Sequence, residues 1–202
     1  MRLWTRPLGG LALAVLASCG TTTFVSTWKA PDAKPLQVKG SKVAAVVMMR
    51  NESSRRAAED QLARAISAHG AAGIPMYLIA PSGIPSDETA ARAALEHAAV
   101  RGVVVMRPVG VTKDITAYSD PMYGGYWGGY YGYGWGHSWG GGVDVHTTTN
   151  VWVETLIYSL AQNKLVWGGQ SKTTKPDNLD RLVGEIADAT ADELETQGLI
   201  AN

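Results

Sequence analysis

Between residues 43 and 107, short apolar runs alternate with amphipathic stretches, and this alternation restricts the chain to a sheet covered by helices. Val43 to Met49 is a continuous apolar run of strand length, as expected of a central strand buried on both faces. Ser53 to His69 reads as a helix with Ala58, Leu62, Ala65 and Ile66 on one face and Gly70 as its stop. Met76 to Ile79 reads as a second short strand, closed by Pro81-Ser82-Gly83. Ser86-Asp87-Glu88 opens a second helix, its acids suited to the positive end of the helix dipole. Ala91, Ala94, Leu95 and Ala98 form its inner face, Gly102 follows, and Val103 to Arg107 is a third strand.

The last third of the chain changes period. Val145 to Leu160 alternates, with Val151, Val153, Thr155 and Ile157 on one face and Trp152, Leu156, Tyr158 and Leu160 on the other. Both faces carry apolar side chains, which predicts cover on both sides for part of the strand. Gln162-Asn163-Lys164 turns it into a partner strand, Leu165 to Thr173. A final helix follows from about Asp177 to Gln197, with Leu179, Leu182, Val183, Ile186, Thr190 and Leu194 as its stripe and Gly198 as its stop. The order β-α-β-α-β-β-β-α predicts an α/β fold, a single mixed β-sheet with helices packed on it.

The amino terminus has the pattern of an export signal. Arg2 and Arg6 precede an apolar run from Leu8 to Ala17. That run is shorter than the ~20 residues needed to cross a bilayer as a helix. It ends in Leu16-Ala17-Ser18-Cys19, and Cys19 is the only cysteine in the chain. This order resembles the lipobox of bacterial lipoproteins. The resemblance implies cleavage before Cys19, a thioether-linked diacylglycerol on its sulfur, and an acylated first residue of the mature protein. Gly20, in place of the aspartate that retains such proteins in the inner membrane of enteric-type bacteria, implies an outer-membrane lipoprotein facing the periplasm. Residues 1–18 are then the signal, 19–42 a lipidated tether, and 43–200 the domain. Within the tether Phe24, Ser26 and Trp28 alternate, so part of it can dock as an edge strand.

Of the 18 basic and 18 acidic residues, two arginines fall in the signal, which leaves the mature chain at about −2. Neither a nucleic-acid footprint nor a basic membrane-binding patch follows from that charge. With the single thiol lipidated, no disulfide framework is available.

A Gly/aromatic insert interrupts the domain at about 119–143. Of the 20 residues from Tyr123 to Gly142, ten are glycine and eight are Tyr or Trp, the others being His137 and Ser138. Glycine at this density opposes a helix and carries a large ordering entropy, while the aromatics offer wide contact area with few rotatable bonds. Three readings stay open: a loop with no binding role, an adhesive surface for a protein or for peptidoglycan sugars, and an interfacial contact with the membrane. In the adhesive reading Trp127, Tyr130, Tyr131, Trp135 and Trp139 are the contact residues.

Other motifs carry less. Gly136-His137-Ser138-Trp139-Gly140 fits the G-x-S-x-G pattern of serine hydrolases, but no strand precedes it and no helix follows it. Asp144 and His146 sit too close along the chain to complete such a site, so a hydrolase using Ser138 is the alternative and not the leading reading. His137 and His146 have no recognised ligand spacing, and His69 and His97 fall near helix ends, so no metal is expected. Gly40-Ser41-Lys42 lacks the glycine frame of a P-loop, no dinucleotide fingerprint is present, and no cofactor is expected. Glu52 with Arg55 and Arg56, and the Asp188, Asp192, Glu193 and Glu195 cluster, read as solvated helix faces.

The lipobox, the Phe24-to-Pro31 segment, the α/β body, the Tyr-Gly-Trp insert and Val153-Glu154-Thr155-Leu156-Ile157-Tyr158-Ser159-Leu160 together resemble a group of Gram-negative lipoproteins without an established activity. The strand–helix order is also similar to the small α/β domains of envelope lipoproteins and periplasmic adaptors, such as the amino-terminal domain of TolB and the outer-membrane activators of penicillin-binding proteins. That second likeness is one of fold and does not transfer a partner. The expectation is a non-enzymatic, lipid-anchored envelope protein that presents its insert to a periplasmic or surface partner.

Overall fold

The computed structural model describes residues 22–81, 87–116 and 146–200. In chain order the elements are β1 (Thr22–Lys29), β2 (Lys42–Val47), α1 (Glu52–Ala68), β3 (Ala72–Pro75), α2 (Met76–Ile79), α3 (Glu88–His97), β4 (Val100–Thr116), β5 (His146–Ser159), β6 (Lys164–Thr174) and α4 (Leu179–Thr196). The strands form one sheet in the order β1-β6-β5-β4-β2-β3. β2 is parallel to both β3 and β4, whereas β4, β5, β6 and β1 pair antiparallel in turn. The expected mixed sheet with helices on it is therefore the fold.

Helix starts follow side-chain chemistry. The carboxamides of Asn51 and Asn178 accept from the backbone N–H groups of Ser54 (2.9 Å) and Arg181 (2.8 Å), and the Asp87 carboxylate accepts from Ala90 N–H at 2.8 Å. α1 and α4 lie on one face of the sheet. Ala58, Leu62, Val183 and Ile186 form a buried cluster there with Ala45, Val47, Met106 and Val153. α2 and α3 cover the opposite face of the parallel half, where Ala44, Val46, Met76, Val100 and Val103 are buried and Ile79, Leu95 and Ala98 pack against them. A third cluster joins Trp167, Ile157, Val166, Leu194 and Leu199, with Phe24 against it. Phe24 meets Trp167 edge-on, ring centroids 5.3 Å apart, over Gly169, where a Cβ would lie 2.8 Å from the Phe24 ring.

Two expectations change. Met76 to Ile79 is a helical turn and not a strand; the strand is the preceding Ala72–Pro75, paired with Lys42–Ala45. Apolar runs this short do not separate strand from buried helix, and Pro75 marks the boundary between the two. β4 does not end at Arg107 but continues to Thr116, because Pro108 sits at a bulge between Pro108 and Gly110 where the ladder does not require its missing N–H. Residues 22–29 dock as edge strand β1 on β6, as the alternation of Phe24, Ser26 and Trp28 allows. The hairpin turn is as expected, with Asn163 in the left-handed region at φ 51°.

Candidate functional site

The register brings several features to one end of the sheet. Thr22, the first residue of β1, pairs with Thr173; Thr173 pairs with Val151, and Val151 with Val111. Thr22 Oγ1 is 2.6 Å from Thr173 Oγ1 and donates to Glu185 of α4 at 3.3 Å, which ties this end of the edge strand to the helix. Past that level β6 pairs one residue further, Thr174 with Asn150, and β4 and β5 then continue as a two-stranded arm to the pair Thr116 and His146. Nearer the sheet, Arg107 pairs with Glu154, and Lys172 lies 5.8 Å from the Trp152 ring. Cys19, the contact residues Trp127, Tyr130, Tyr131, Trp135 and Trp139, and the pentapeptide with His137 and Ser138 lie outside the described residues.

Of the histidines with described side chains, His69 closes α1 and its Nε2 is 3.0 Å from Asp188 Oδ1 on α4, while His97 is exposed in the last turn of α3. Among the described residues no cluster of three or more His, Cys, Asp or Glu side chains is arranged to hold a metal ion. Arg56 and Glu52 pair at 2.6 Å on an exposed helix face, as their spacing predicts.

Sequence reasoning missed Glu59. Its side chain is fully buried, with Oε1 2.9 Å from Arg55 Nη1. Oε1 also accepts from Val47 N–H at 3.5 Å, and Oε2 accepts from Tyr77 N–H at 3.0 Å. The carboxylate thus joins α1 to the end of β2 and the start of α2. Both oxygens are engaged by backbone or guanidinium, so the group acts as a structural clip. One signal was legible: Glu59 lies beside Ala58 in the apolar stripe of α1, with Arg55 one turn earlier. Next to it, Tyr77 Oη donates to Asp60 at 2.8 Å, and that hydrogen bond raises the phenol's pKa above its ordinary value.

The outer face of the antiparallel half is the second feature that the helix pattern did not disclose. Trp28, Gly168 and Leu156 are lateral neighbours across β1, β6 and β5 on the side away from α4. Trp28 and Tyr158 are both exposed there, and Val25 and Val109 are exposed at the bulges of β1 and β4. The expected cover on both faces of β5 is therefore partial: the α4 face is buried at Val153, Thr155 and Ile157, and the other face is open at Tyr158.

Among the described residues no helix is long and apolar enough to cross a membrane. No protein-family profile matches the chain, and no curated protein matches it in sequence. Solved structures resemble it loosely. A PelC dodecamer from Paraburkholderia phytofirmans is 14% identical over 84% of this chain and 95% of its own, with a TM-score of 0.45. Another crystal form of that protein, carrying one substitution, is 16% identical over 85% and 96%, with a TM-score of 0.43. Lipoprotein GNA1162 from Neisseria meningitidis is 9% identical over 78% and 99%, with a TM-score of 0.42. At these values the partners and assemblies of those proteins do not transfer to this chain.

Proposed function

We propose that the chain is a lipid-anchored protein of the cell envelope, acylated on Cys19 at the outer membrane and facing the periplasm. It acts without catalysis, as an interaction module that presents its aromatic-glycine insert close to the anchored end. The reading starts from the Leu-Ala-Ser-Cys sequence and is supported by one structural observation, the register at the end of the sheet. Two residues, Gly20 and Thr21, lie between Cys19 and Thr22, and the three steps reach about 10 Å at ~3.3 Å per residue. The β4–β5 arm extends five residues beyond the level of Thr22, from Val111 to Thr116, or about 17 Å at ~3.4 Å per residue. Anchor and insert therefore leave the same end of the domain. The aromatics of Trp127, Tyr130, Tyr131, Trp135 and Trp139 are offered at the bilayer surface or to a partner lying against it, such as an envelope protein or peptidoglycan.

The test compares three forms in cells at equal abundance: wild type, Cys19→Ser, and a deletion of residues 123–142. Cys19→Ser is expected to lose labelling by a palmitate analogue and to leave the processed membrane fraction. The deletion is expected to keep its lipid and lose the crosslinked partner recovered with wild type. Continued acyl labelling of Cys19→Ser overturns the anchor, and identical crosslinked products with and without the insert overturn the adhesive role.

A further inference from the structure

The two helices on the covered face touch along only part of their length. α1 and α4 meet where a Cβ on Gly184 would lie 3.3 Å from Gln61 Nε2, and again at His69 and Asp188. Beyond Asp188, α4 leans toward the other edge of the sheet. Leu194 packs into the cluster with Trp167, Thr27 Oγ1 donates to Glu193 at 3.5 Å, and Lys29 Nζ donates to the Gln197 carbonyl at 2.7 Å. α1 ends at Ala68, leaving the start of β4 under a wedge between the helices. The loop from Asp32 to Lys42 and the turn between β5 and β6 border the wedge.

The resulting cavity has a volume of about 1090 Å³. That is just above the ~300–1,000 Å³ range usual for small-molecule sites. Its inner wall is hydrocarbon from Leu62, Ile66, Val104, Met106, Ile157 and Leu194. Two hydroxyls of its lining are already engaged: Thr190 Oγ1 donates to the Ile186 carbonyl at 2.7 Å, and Ser159 Oγ accepts from Gln162 N–H at 3.2 Å. Its border is cationic, with Lys34, Lys39, Lys42, Arg101 and Lys164. The one carboxylate in the lining, Asp32, is paired to Lys164, and that hydrogen bond holds its pKa below the ordinary aspartate value. Lys34, Lys39 and Arg101 form no salt bridge among the described residues, and Lys42 Nζ donates to the neutral Ala98 carbonyl at 3.2 Å.

We propose that this cavity binds a long acyl chain with a carboxylate head, a fatty acid, its tail between α1 and α4 and its head among the lysines and Arg101. An apolar interior and an unneutralised cationic border suit an amphipathic anion. The ligand comes from outside the chain. The cavity lies at the Lys42 and Arg101 end of the sheet, whereas Cys19 joins at the Thr22 end, and the eight residues of β1 span about 27 Å. The proposal is independent of how the protein is anchored.

The described fold begins at Thr22, so the chain from residue 20 onward, purified without detergent, is the material to use. It is titrated with cis-parinaric acid, a fluorescent fatty acid. Saturable binding of one probe per chain is expected, with displacement by palmitic acid and little displacement by its methyl ester. Joint reversal of Lys39→Glu and Arg101→Glu, both exposed, is expected to weaken binding about tenfold with melting unchanged. Ala191→Trp, set into the cavity wall, is expected to abolish binding. Absence of saturable binding, equal displacement by acid and ester, or undiminished affinity in the charge-reversal variant overturns the proposal, whether or not Ala191→Trp folds.

Discussion

The two halves of the sheet bury their surfaces differently. In the parallel half, β2 is covered on both faces, and its Ala44, Ala45, Val46 and Val47 are all buried. Small aliphatic side chains let α1 on one side and α2 with α3 on the other approach closely, as a doubly covered strand requires. In the antiparallel half only the α4 face is covered. Its interior is more mixed, with Thr155, Ser171 and Thr173 fully buried beside Trp167, and its outer face leaves Trp28 49% and Tyr158 39% exposed. Ser171 Oγ donates to the Val153 carbonyl at 3.2 Å, whereas Thr155 Oγ1 and Trp167 Nε1 have no hydrogen-bond partner among the described residues. Stability in one half comes from tight backbone approach, and in the other from one large ring system under a single helix. An open apolar face on a well-formed half-sheet is also a surface that another molecule can cover.

The largest effect is expected in the antiparallel half. Trp167 is fully buried and touches Phe24 and the last turns of α4. Trp167→Ala removes that contact and leaves a cavity, at a cost of about 3–5 kcal/mol. Urea unfolding followed by far-ultraviolet circular dichroism measures it. A loss below about 1 kcal/mol means that the helix does not depend on the ring, and the contrast between the halves fails on this side.

A smaller loss is expected in the parallel half. A Cβ on Gly73 of β3 would lie 2.1 Å from the Ala63 carbonyl oxygen, inside the backbone of α1. Ser67 fastens the same approach, donating to the Ala63 carbonyl at 2.8 Å and accepting from Gly73 N–H at 3.1 Å. Gly73→Ala must push α1 away from the sheet, at about 1–3 kcal/mol. The same unfolding experiment checks it. Equal stability of Gly73→Ala and wild type means that α1 is not held as closely as the geometry states.

Much of this division was legible in the residues. The unbroken apolar run at 43–49 indicated double cover, and the alternation at 151–160 indicated a strand with two unlike faces. The helix starts read at Ser53, Ser86 to Glu88 and about Asp177 fall within about two residues of Glu52, Glu88 and Leu179. What was illegible depended on distant contacts. Met76 to Ile79 became a helical turn because Pro75 ends the ladder and Glu59, 18 residues earlier than Tyr77, accepts from its backbone N–H. β4 ran past Pro108 because a bulge accommodates the proline, a property of the pair with β5 and not of the local sequence. The wedge between α1 and α4 was equally hidden, since it arises from how two separately recognisable helices diverge. The anchor and insert residues rest on sequence alone.

Trp28 and Trp167 make the comparison at a single point of the sheet. Trp28 pairs with Gly168, next in the chain to Trp167, and the two rings lie on opposite faces. Trp28→Ser is expected to cost no more than about 1 kcal/mol, because half of the side chain is already in water. The effect is also expected to be independent of protein concentration. Melting temperature measured across a wide concentration range for wild type and Trp28→Ser tests both statements. If wild type gains stability with concentration and Trp28→Ser does not, a second copy of the chain covers the outer face in solution. The contrast between a doubly covered and a singly covered half then belongs to the monomer and disappears in the assembly.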